Sequence, residues 1–136
     1  MLNLTAKSKY GLAAILAIAT TQDHKPVQSK TIAEQYRIPQ PYLEQLLLDL
    51  KKSGVIHSVR GCQGGYTLAK SPEQLTVLDI VLSLEGPSDF CAGMATGTLE
   101  TFWRHKEMQI NDLFQVTIAT LVAQDQKAKH VMAYSI

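Results

Sequence analysis

The stretch RGCQGGY, residues 60–66, joins one fixed positive charge to a very pliable backbone, because three of its seven residues are glycine. Such a stretch suits a loop that cradles phosphate, a metal site that includes Cys62, or a tight hairpin turn that projects Arg60 outward. No Lys-Ser or Lys-Thr pair follows the glycines and no helix begins there, which argues against a nucleotide-binding loop.

A second group of polar side chains lies on residues 40–52, a segment that also carries four leucines at helical spacing. If Leu43, Leu46, Leu47 and Leu50 form the buried face of a helix, the polar face carries Gln40, Tyr42, Glu44, Gln45 and Lys52.

These are side chains that read nucleic acids. Gln45 can pair with adenine, Glu44 can accept a hydrogen bond from cytosine N4, and Tyr42 can bond a phosphate. A carboxylate facing DNA is unfavourable without a specific contact, so Glu44 either reads a base or lies away from the DNA. The alternatives stay open: Glu44 and Gln45 as solvated helix residues, and Tyr42 half-buried against the first helix.

The elements around these residues are those of a winged helix-turn-helix. Thr5 is placed to cap a first helix to about Thr20, Ser29 opens a short second helix, and Pro41 to Ser53 forms the third, ended by Gly54. Residues 55–59 and 65–69 are strand candidates. RGCQG then becomes a hairpin tip, in which Gly61, Gly64 and Gly65 permit a sharp turn and a close approach to a DNA backbone.

The second half of the chain predicts two more helices. Thr76 and Asp79 form a capping box for a helix that ends near Leu84. After a loop of small residues, 98 to about 129 is expected to form one long helix. Its apolar side chains need more burial than a monomer of 136 residues offers, so it is expected to pair two chains, through Phe102, Trp103, Leu113, Phe114 and Leu121.

The fold class expected is therefore mainly α with a small β-hairpin. Residues 1–85 form the winged helix-turn-helix, 86–97 a sensor-type loop, and 98–136 the dimerisation helix and tail.

Charge is divided unevenly along the chain, although the net charge is only +1. Residues 1–70 hold nine Lys/Arg and four acids, whereas residues 71–136 hold four Lys/Arg and eight acids. A basic N-terminal half is suited to binding a polyanion such as nucleic acid. Scattered charges that only keep the protein in solution would give the same excess of Lys and Arg. No apolar run approaches the ~18 residues of a membrane span, and two cysteines make no disulfide framework. We expect a cytoplasmic protein without a membrane partner.

Three stretches together resemble the IscR-type family of bacterial winged-helix regulators, which includes IscR, NsrR and CymR. They are LTAKSKYGLAAILAIA, the run from IAEQYRIPQPYLEQLLLDLKKSGVIHSVRGCQGGYTLA through VLDIVLSLEGP, and a tryptophan-bearing C-terminal helix. The resemblance implies a homodimer that binds a near-palindromic operator in double-stranded DNA. It also implies reading positions at Tyr42, Glu44, Gln45 and Arg60.

The chain departs from this family in the sensor-type loop. Many members hold an iron–sulfur cluster there with three cysteines, whereas this loop has only Cys91. Two chains supply two Cys91 thiolates, so further ligands would have to come from His105, Glu100, Asp89 or Cys62. The cofactor is therefore unknown. Redox or iron–sulfur sensing and control of a cluster-free regulator by a partner protein or small ligand are both open.

Two other function classes have less support in the sequence. A protein-interaction module could keep the winged fold, but the basic N-terminal half argues against that as its sole role. No paired-carboxylate or Cys–His arrangement supports catalysis, so we expect no enzyme.

Overall fold

The structure, a computed structural model, describes residues 4–134. Residues 1–3 and 135–136, the outer ends of the first and last predicted segments, lie outside the described residues. The helices and strands are, in chain order, α1 (Ala6–Ala19), α2 (Ser29–Tyr36), α3 (Gln40–Lys52), β1 (Ile56–Val59), β2 (Gly65–Leu68), α4 (Val77–Glu85), α5 (Thr98–Leu113) and α6 (Ile118–Tyr134). A single 3-10 turn, Gln22–His24, follows α1. The expected mainly α fold with one hairpin is confirmed.

Helix α1 is the centre of the core. Thr5 caps it as predicted, its side chain accepting a hydrogen bond from the Lys7 N–H at 3.2 Å. A Cβ atom at Gly11 would lie only 2.2 Å from Leu84 Cδ1, so the glycine lets α4 cross close to α1. The hydroxyl of buried Ser8 donates to Glu85 Oε2 at 2.7 Å, which ties the end of α4 to the start of α1.

Helix α3 begins and ends close to the predicted positions. Pro41 lies in its first turn, where the missing N–H has no helical partner to lose. Gly54 follows its end at φ +77°, a conformation that favours glycine. The four leucines of the predicted buried face are all at most 1 % exposed: Leu43, Leu46, Leu47 and Leu50.

The wing is an antiparallel hairpin in which Ile56 pairs with Leu68 and Val59 with Gly65. Val27, just before α2, forms a single antiparallel bridge to the hairpin by exchanging backbone hydrogen bonds with Tyr66 at 3.0 and 2.9 Å. This contact fastens the wing to the entrance of the helix-turn-helix.

The predicted single helix over residues 98–129 is wrong, because the chain breaks at residues 114–117 between α5 and α6. The break is held by the start of α4, whose Val77 and Leu78 N–H groups donate to the carbonyls of Val116 and Phe114 at 2.8 and 2.9 Å. In return, the first N–H of α6, on Ile118, donates to the Leu75 carbonyl at 2.8 Å. The unpaired N–H groups at the starts of α4 and α6 are thus bonded to carbonyls in the segment that precedes the other helix, which compensates for the interruption.

Candidate nucleic-acid interface

The polar face of α3 lies opposite its buried leucines. Gln40, Glu44 and Gln45 are exposed there, whereas Tyr42 is half-buried. The turn before the helix is set by Arg37, which adopts a left-handed conformation at φ +54° and ends α2. Pro39 then takes the position before the first residue of α3, and Ile38 anchors the turn in the core at 4 % exposure.

Glu44 is held in place by its neighbours. Its Oε1 atom accepts hydrogen bonds from Ser29 Oγ at 3.1 Å and from Gln40 Nε2 at 3.4 Å. The carboxylate therefore bridges the start of α2 and the start of α3. The sequence indicated Ser29 only as a helix-opening residue, and no local signal pairs it with a residue fifteen positions away.

Gln45 and Tyr42 differ in how they are engaged. Gln45 Nε2 donates to Asp49 Oδ1 at 3.2 Å along the same helix, so its side chain is exposed but oriented. Tyr42 packs edge-on against Tyr10 of α1, with ring centroids 5.9 Å apart and an interplanar angle of 80°. The half-buried alternative considered for Tyr42 is the arrangement seen.

Arg60 follows β1 at the start of the wing turn and is exposed. The Gly64 N–H closes the turn by donating to the Gly61 carbonyl at 3.0 Å. Gly61 has φ +110° and open space around it, while Cys62 presents an exposed thiol beside it.

At Gly64 and Gly65, the packing of the wing backbone itself requires glycine. A Cβ at Gly64 would lie 2.1 Å from the Val59 carbonyl oxygen. One at Gly65 would lie 2.5 Å from the carbonyl oxygen of Val27. These two glycines are explained by backbone packing, without any approach of DNA, and only Gly61 leaves its outer side open.

The wing and the helix-turn-helix share one surface groove of about 320 Å³. Ser29 and Lys30 at the start of α2, Gln40 at the start of α3, and Gly61 and Tyr66 of the wing line it. The exposed cation Lys30 therefore lies on the same surface as the polar end of α3. Lys30 is a part of this surface that the sequence did not single out.

The loop 86–97 folds back on α5. The Phe90 N–H donates to Glu107 Oε2 at 2.7 Å, and the Phe90 ring meets Trp103 edge-on at 6.5 Å between centroids. The Cys91 thiol donates to the backbone carbonyl of Glu100 at 3.3 Å. Within residues 4–134, no cluster of three or more His, Cys, Asp or Glu side chains is arranged to hold a metal ion.

The two carboxylates that were candidates to join Cys91 already accept hydrogen bonds from other groups, and the second cysteine lies in another part of the fold. The Glu100 carboxylate forms a hydrogen-bonded ion pair with Arg104. This hydrogen bond, followed by the negative charges of Cys91 and of Glu100 itself, raises the pKa of Arg104 above its usual value. Asp89 accepts from the Cys91 N–H at 2.9 Å, and Cys62 is on the wing. The predicted dimerisation residues Phe102, Trp103 and Leu113 are exposed at 46 %, 40 % and 74 %, whereas Phe114 and Leu121 pack against the core.

A family model described as an iron-dependent transcriptional regulator, Rrf2, matches residues 4–124. The chain belongs to the Rrf2 family. Its match to a putative HTH-type transcriptional regulator of Synechocystis sp. is 43 % identical over 84 residues, which cover 62 % of this chain and 57 % of that protein. The chain thus spans less than two thirds of that relative's length.

Two solved structures share the fold. The chain is 34 % identical to T. potens IscR, with a TM-score of 0.79 and coverage of 93 % of this chain and 90 % of that one. CymR, the global cysteine regulator of B. subtilis, is 30 % identical with a TM-score of 0.76, covering 91 % and 98 %. The resemblance to the IscR-type family is therefore confirmed, and the relatives that match are named as transcriptional regulators rather than as enzymes.

The family description names iron, but the donors in this chain do not fit an iron–sulfur cluster. Such clusters are held mainly by cysteine thiolates, and the loop that lies against α5 supplies one, already bonded to a backbone carbonyl.

None of the helices within residues 4–134 is long and apolar enough to span a membrane.

Proposed function

We propose that the protein is a homodimeric, sequence-specific DNA-binding regulator of transcription that recognises a near-palindromic operator in the bacterial cytoplasm. The observation that carries this proposal is the shared groove, which joins the exposed polar end of α3 to the wing. Family membership and the basic N-terminal half support it.

In this function α3 enters the major groove with its first turns against the base edges. Gln40 and Gln45 supply amide groups that can pair with adenine, and Glu44 supplies an acceptor for cytosine. Because Glu44 is held by Ser29 and Gln40, its carboxylate is presented in one orientation, which favours one base over the others. The role of Tyr42 is to support α3 through its edge-on contact with Tyr10.

The wing lies beside the recognition helix and carries Arg60 to the DNA backbone or the minor groove. Gly61 keeps the turn small at this point, since its outer side is open. Lys30 adds a phosphate contact at the start of α2, where helix N–H groups also favour an anion.

An operator selected from a random duplex pool provides the test. Arg60→Ala is expected to weaken its binding by about 1–3 kcal/mol and to make the salt dependence less steep. The matched control is Lys127→Ala, which removes an exposed cation of α6. It should leave the operator affinity and its salt dependence unchanged. Equal losses in the two variants would refute the placement of Arg60 at the DNA.

For the control of DNA binding, the lone thiol in the loop favours a cluster-free regulator that responds to a partner protein or a small ligand. Protein purified without oxygen should then be colourless, free of iron and sulfide, and able to bind the operator. Stoichiometric iron with visible absorbance that is lost in Cys91→Ser would instead support iron–sulfur sensing across the dimer.

A further inference from the structure

A surface cavity of about 540 Å³ lies between the end of α1 and the wing. It is lined by Ile18 and Ala19 of α1, by His24 and Lys25 in the turn that follows, and by residues 67–73. We call it the α1–wing cavity. It shares no residue with the groove formed by the start of α3 and the wing. Its volume is within the range of roughly 300–1,000 Å³ that is usual for small-molecule sites.

The inner wall of the α1–wing cavity is aliphatic. Ile18 is only 5 % exposed, and the other apolar lining residues Leu68, Ala69 and Pro72 are half-buried. Among the residues that the structure describes, no Phe, Tyr or Trp lines the cavity. A ligand that fits this wall therefore has a small aliphatic body.

The outer wall of the cavity is positively charged. The side chains of His24, Lys25 and Lys70 are exposed there, and the one acid among the described lining residues is Glu73. None of these four side chains forms an ion pair or a hydrogen bond within residues 4–134. Two lysines against one carboxylate leave an excess of one positive charge at neutral pH. Such an excess beside an aliphatic wall is suited to a small organic acid.

An unfavourable turn holds His24 and Lys25 at this wall. Asp23 and His24 both have left-handed backbone conformations, at φ +60° and +53°, which residues other than glycine seldom adopt in succession. Strain of this kind persists where the surrounding structure enforces it, and it is concentrated at sites that bind ligands. The turn therefore supports a binding role for this wall.

A carboxylate fits the cavity better than a phosphate. A phosphate ester carries about −1.5 to −2 charges at neutral pH, which is more than the positive excess of the lining residues. Phosphates also favour the start of a helix, where N–H groups are free, whereas α1 ends here. The Thr20 hydroxyl donates to the Leu16 carbonyl at 2.8 Å. The Thr21 hydroxyl donates to the Ala17 carbonyl at 3.0 Å, so the negative end of α1 is partly compensated.

The cavity borders the contact that fastens the wing to the helix-turn-helix. Val27 and Tyr66 form that contact. The two chain segments that they join both continue into the cavity wall, one at Thr67 and the other at Lys25. An anion in the cavity also adds a negative charge near the surface proposed to meet DNA, which lowers the affinity for phosphates.

We propose that the α1–wing cavity binds a small aliphatic carboxylate through Lys25 and Lys70, and that its occupation weakens operator binding. The second half of this inference rests on the proposed function, because it names the class of small ligand that controls DNA binding. The first half stands on the cavity alone.

Two branched acids, isovalerate and isocaproate, are the probes, and their neutral amides are the matched controls. Backbone amide spectra of isotope-labelled protein should show saturable shifts at residues 24–25 and 67–71 with the acids. The neutral amides should produce no such shifts, because they lack the charge that the lysines bind. Lys25→Gln and Lys70→Gln should each weaken the fitted affinity by about three- to tenfold. Lys127→Gln, at an exposed site on α6, should leave it unchanged.

Fluorescence anisotropy with the selected operator tests the second half. Isovalerate at a concentration that saturates the spectral shifts should lower the operator affinity by about two- to fivefold, relative to chloride at the same ionic strength. A variant that carries both Lys25→Gln and Lys70→Gln should show no such difference between isovalerate and chloride.

The outcomes separate the cavity from the function. Shifts that do not saturate, or that the neutral amides reproduce, overturn the site whether or not the protein binds an operator. Saturable shifts without a change in operator affinity overturn the link to DNA and leave the site and the DNA-binding function standing. A protein that binds no operator overturns the proposed function, while the spectra still decide the site.

A direct role of these lysines at the DNA is the remaining alternative. If Lys70→Gln without any added acid lowered the operator affinity as much as Arg60→Ala does, the lysines would belong to the DNA interface, and the inference would be overturned.

Discussion

Ser29 Oγ and Glu44 Oε1 lie 3.1 Å apart and join the first residue of α2 to the exposed face of α3. An acidic side chain on a surface that meets phosphates is unfavourable by itself, yet this one is fixed by two donors. In the proposed complex with DNA, Glu44 would select among sequences, since its charge repels every duplex and is compensated only where a base donates to it.

Glu44→Gln therefore separates affinity from specificity. We expect it to bind unrelated duplex more tightly than the wild type, because a negative charge is removed from the DNA face. The advantage of operator over unrelated duplex should shrink by about 1–3 kcal/mol. Fluorescence anisotropy with both duplexes at one salt concentration measures the two effects. Glu73→Gln, which removes the same charge at an exposed site outside the groove, is the control, and an identical response there would argue for a general charge effect.

The glycines of the wing lead to a prediction about stability. Gly61→Ala meets backbone strain at φ +110° but no neighbouring atom, whereas Gly65→Ala at φ +149° also meets the Val27 backbone at 2.5 Å. Gly65→Ala should therefore lower the free energy of unfolding by at least about 1 kcal/mol more than Gly61→Ala does. Urea denaturation of both variants checks this difference. Equal losses would show that the backbone at Val27 moves away without cost in free energy.

Glu85 makes folding sensitive to acid. Burial alone raises the pKa of its carboxyl, but hydrogen bonds from Ser8 and Thr5 and the charge of Lys7 outweigh burial and lower the pKa below 4.5. Because the folded pKa is below the unfolded one, the stabilisation is complete above about pH 4.5 and is lost as pH falls through the folded pKa.

Glu85→Gln should accordingly cost about 1–2 kcal/mol at pH 7, and the gap between it and the wild type should close as the solution is acidified below pH 4.5. Denaturation curves at several pH values measure this gap. The exposed Glu73→Gln variant should show no such convergence. A gap that stays constant into acid would mean that side-chain shape, rather than charge, holds Thr5 and Ser8.

The sequence predicted those parts of the molecule whose causes are local. The leucine spacing of α3, Gly54 after its end and the capping box at Thr76 were all correct, because each depends on residues within a few positions. The break at residues 114–117 was missed, since apolar residues continue at helical spacing across it. Its cause is the backbone of α4, about forty residues earlier. The contacts of Glu44 with Ser29 and of Val27 with Tyr66 were missed for the same reason.

The break also leads to a prediction that distinguishes packing within a chain from packing between chains. Ile118, just after the break, is fully buried, whereas Leu113, just before it, is 74 % exposed. Ile118→Ala should lower the free energy of unfolding by about 2–5 kcal/mol at any protein concentration, because it leaves a cavity in the core.

Leu113→Ala creates no cavity within the chain, and its effect should appear only as a weaker dimer. Urea denaturation at protein concentrations a hundredfold apart separates the two, because only dimer dissociation makes the midpoint depend on concentration. If Leu113→Ala destabilised the protein equally at both concentrations, its side chain would be packing within its own chain, and the expected role of Leu113 in the dimer would be wrong.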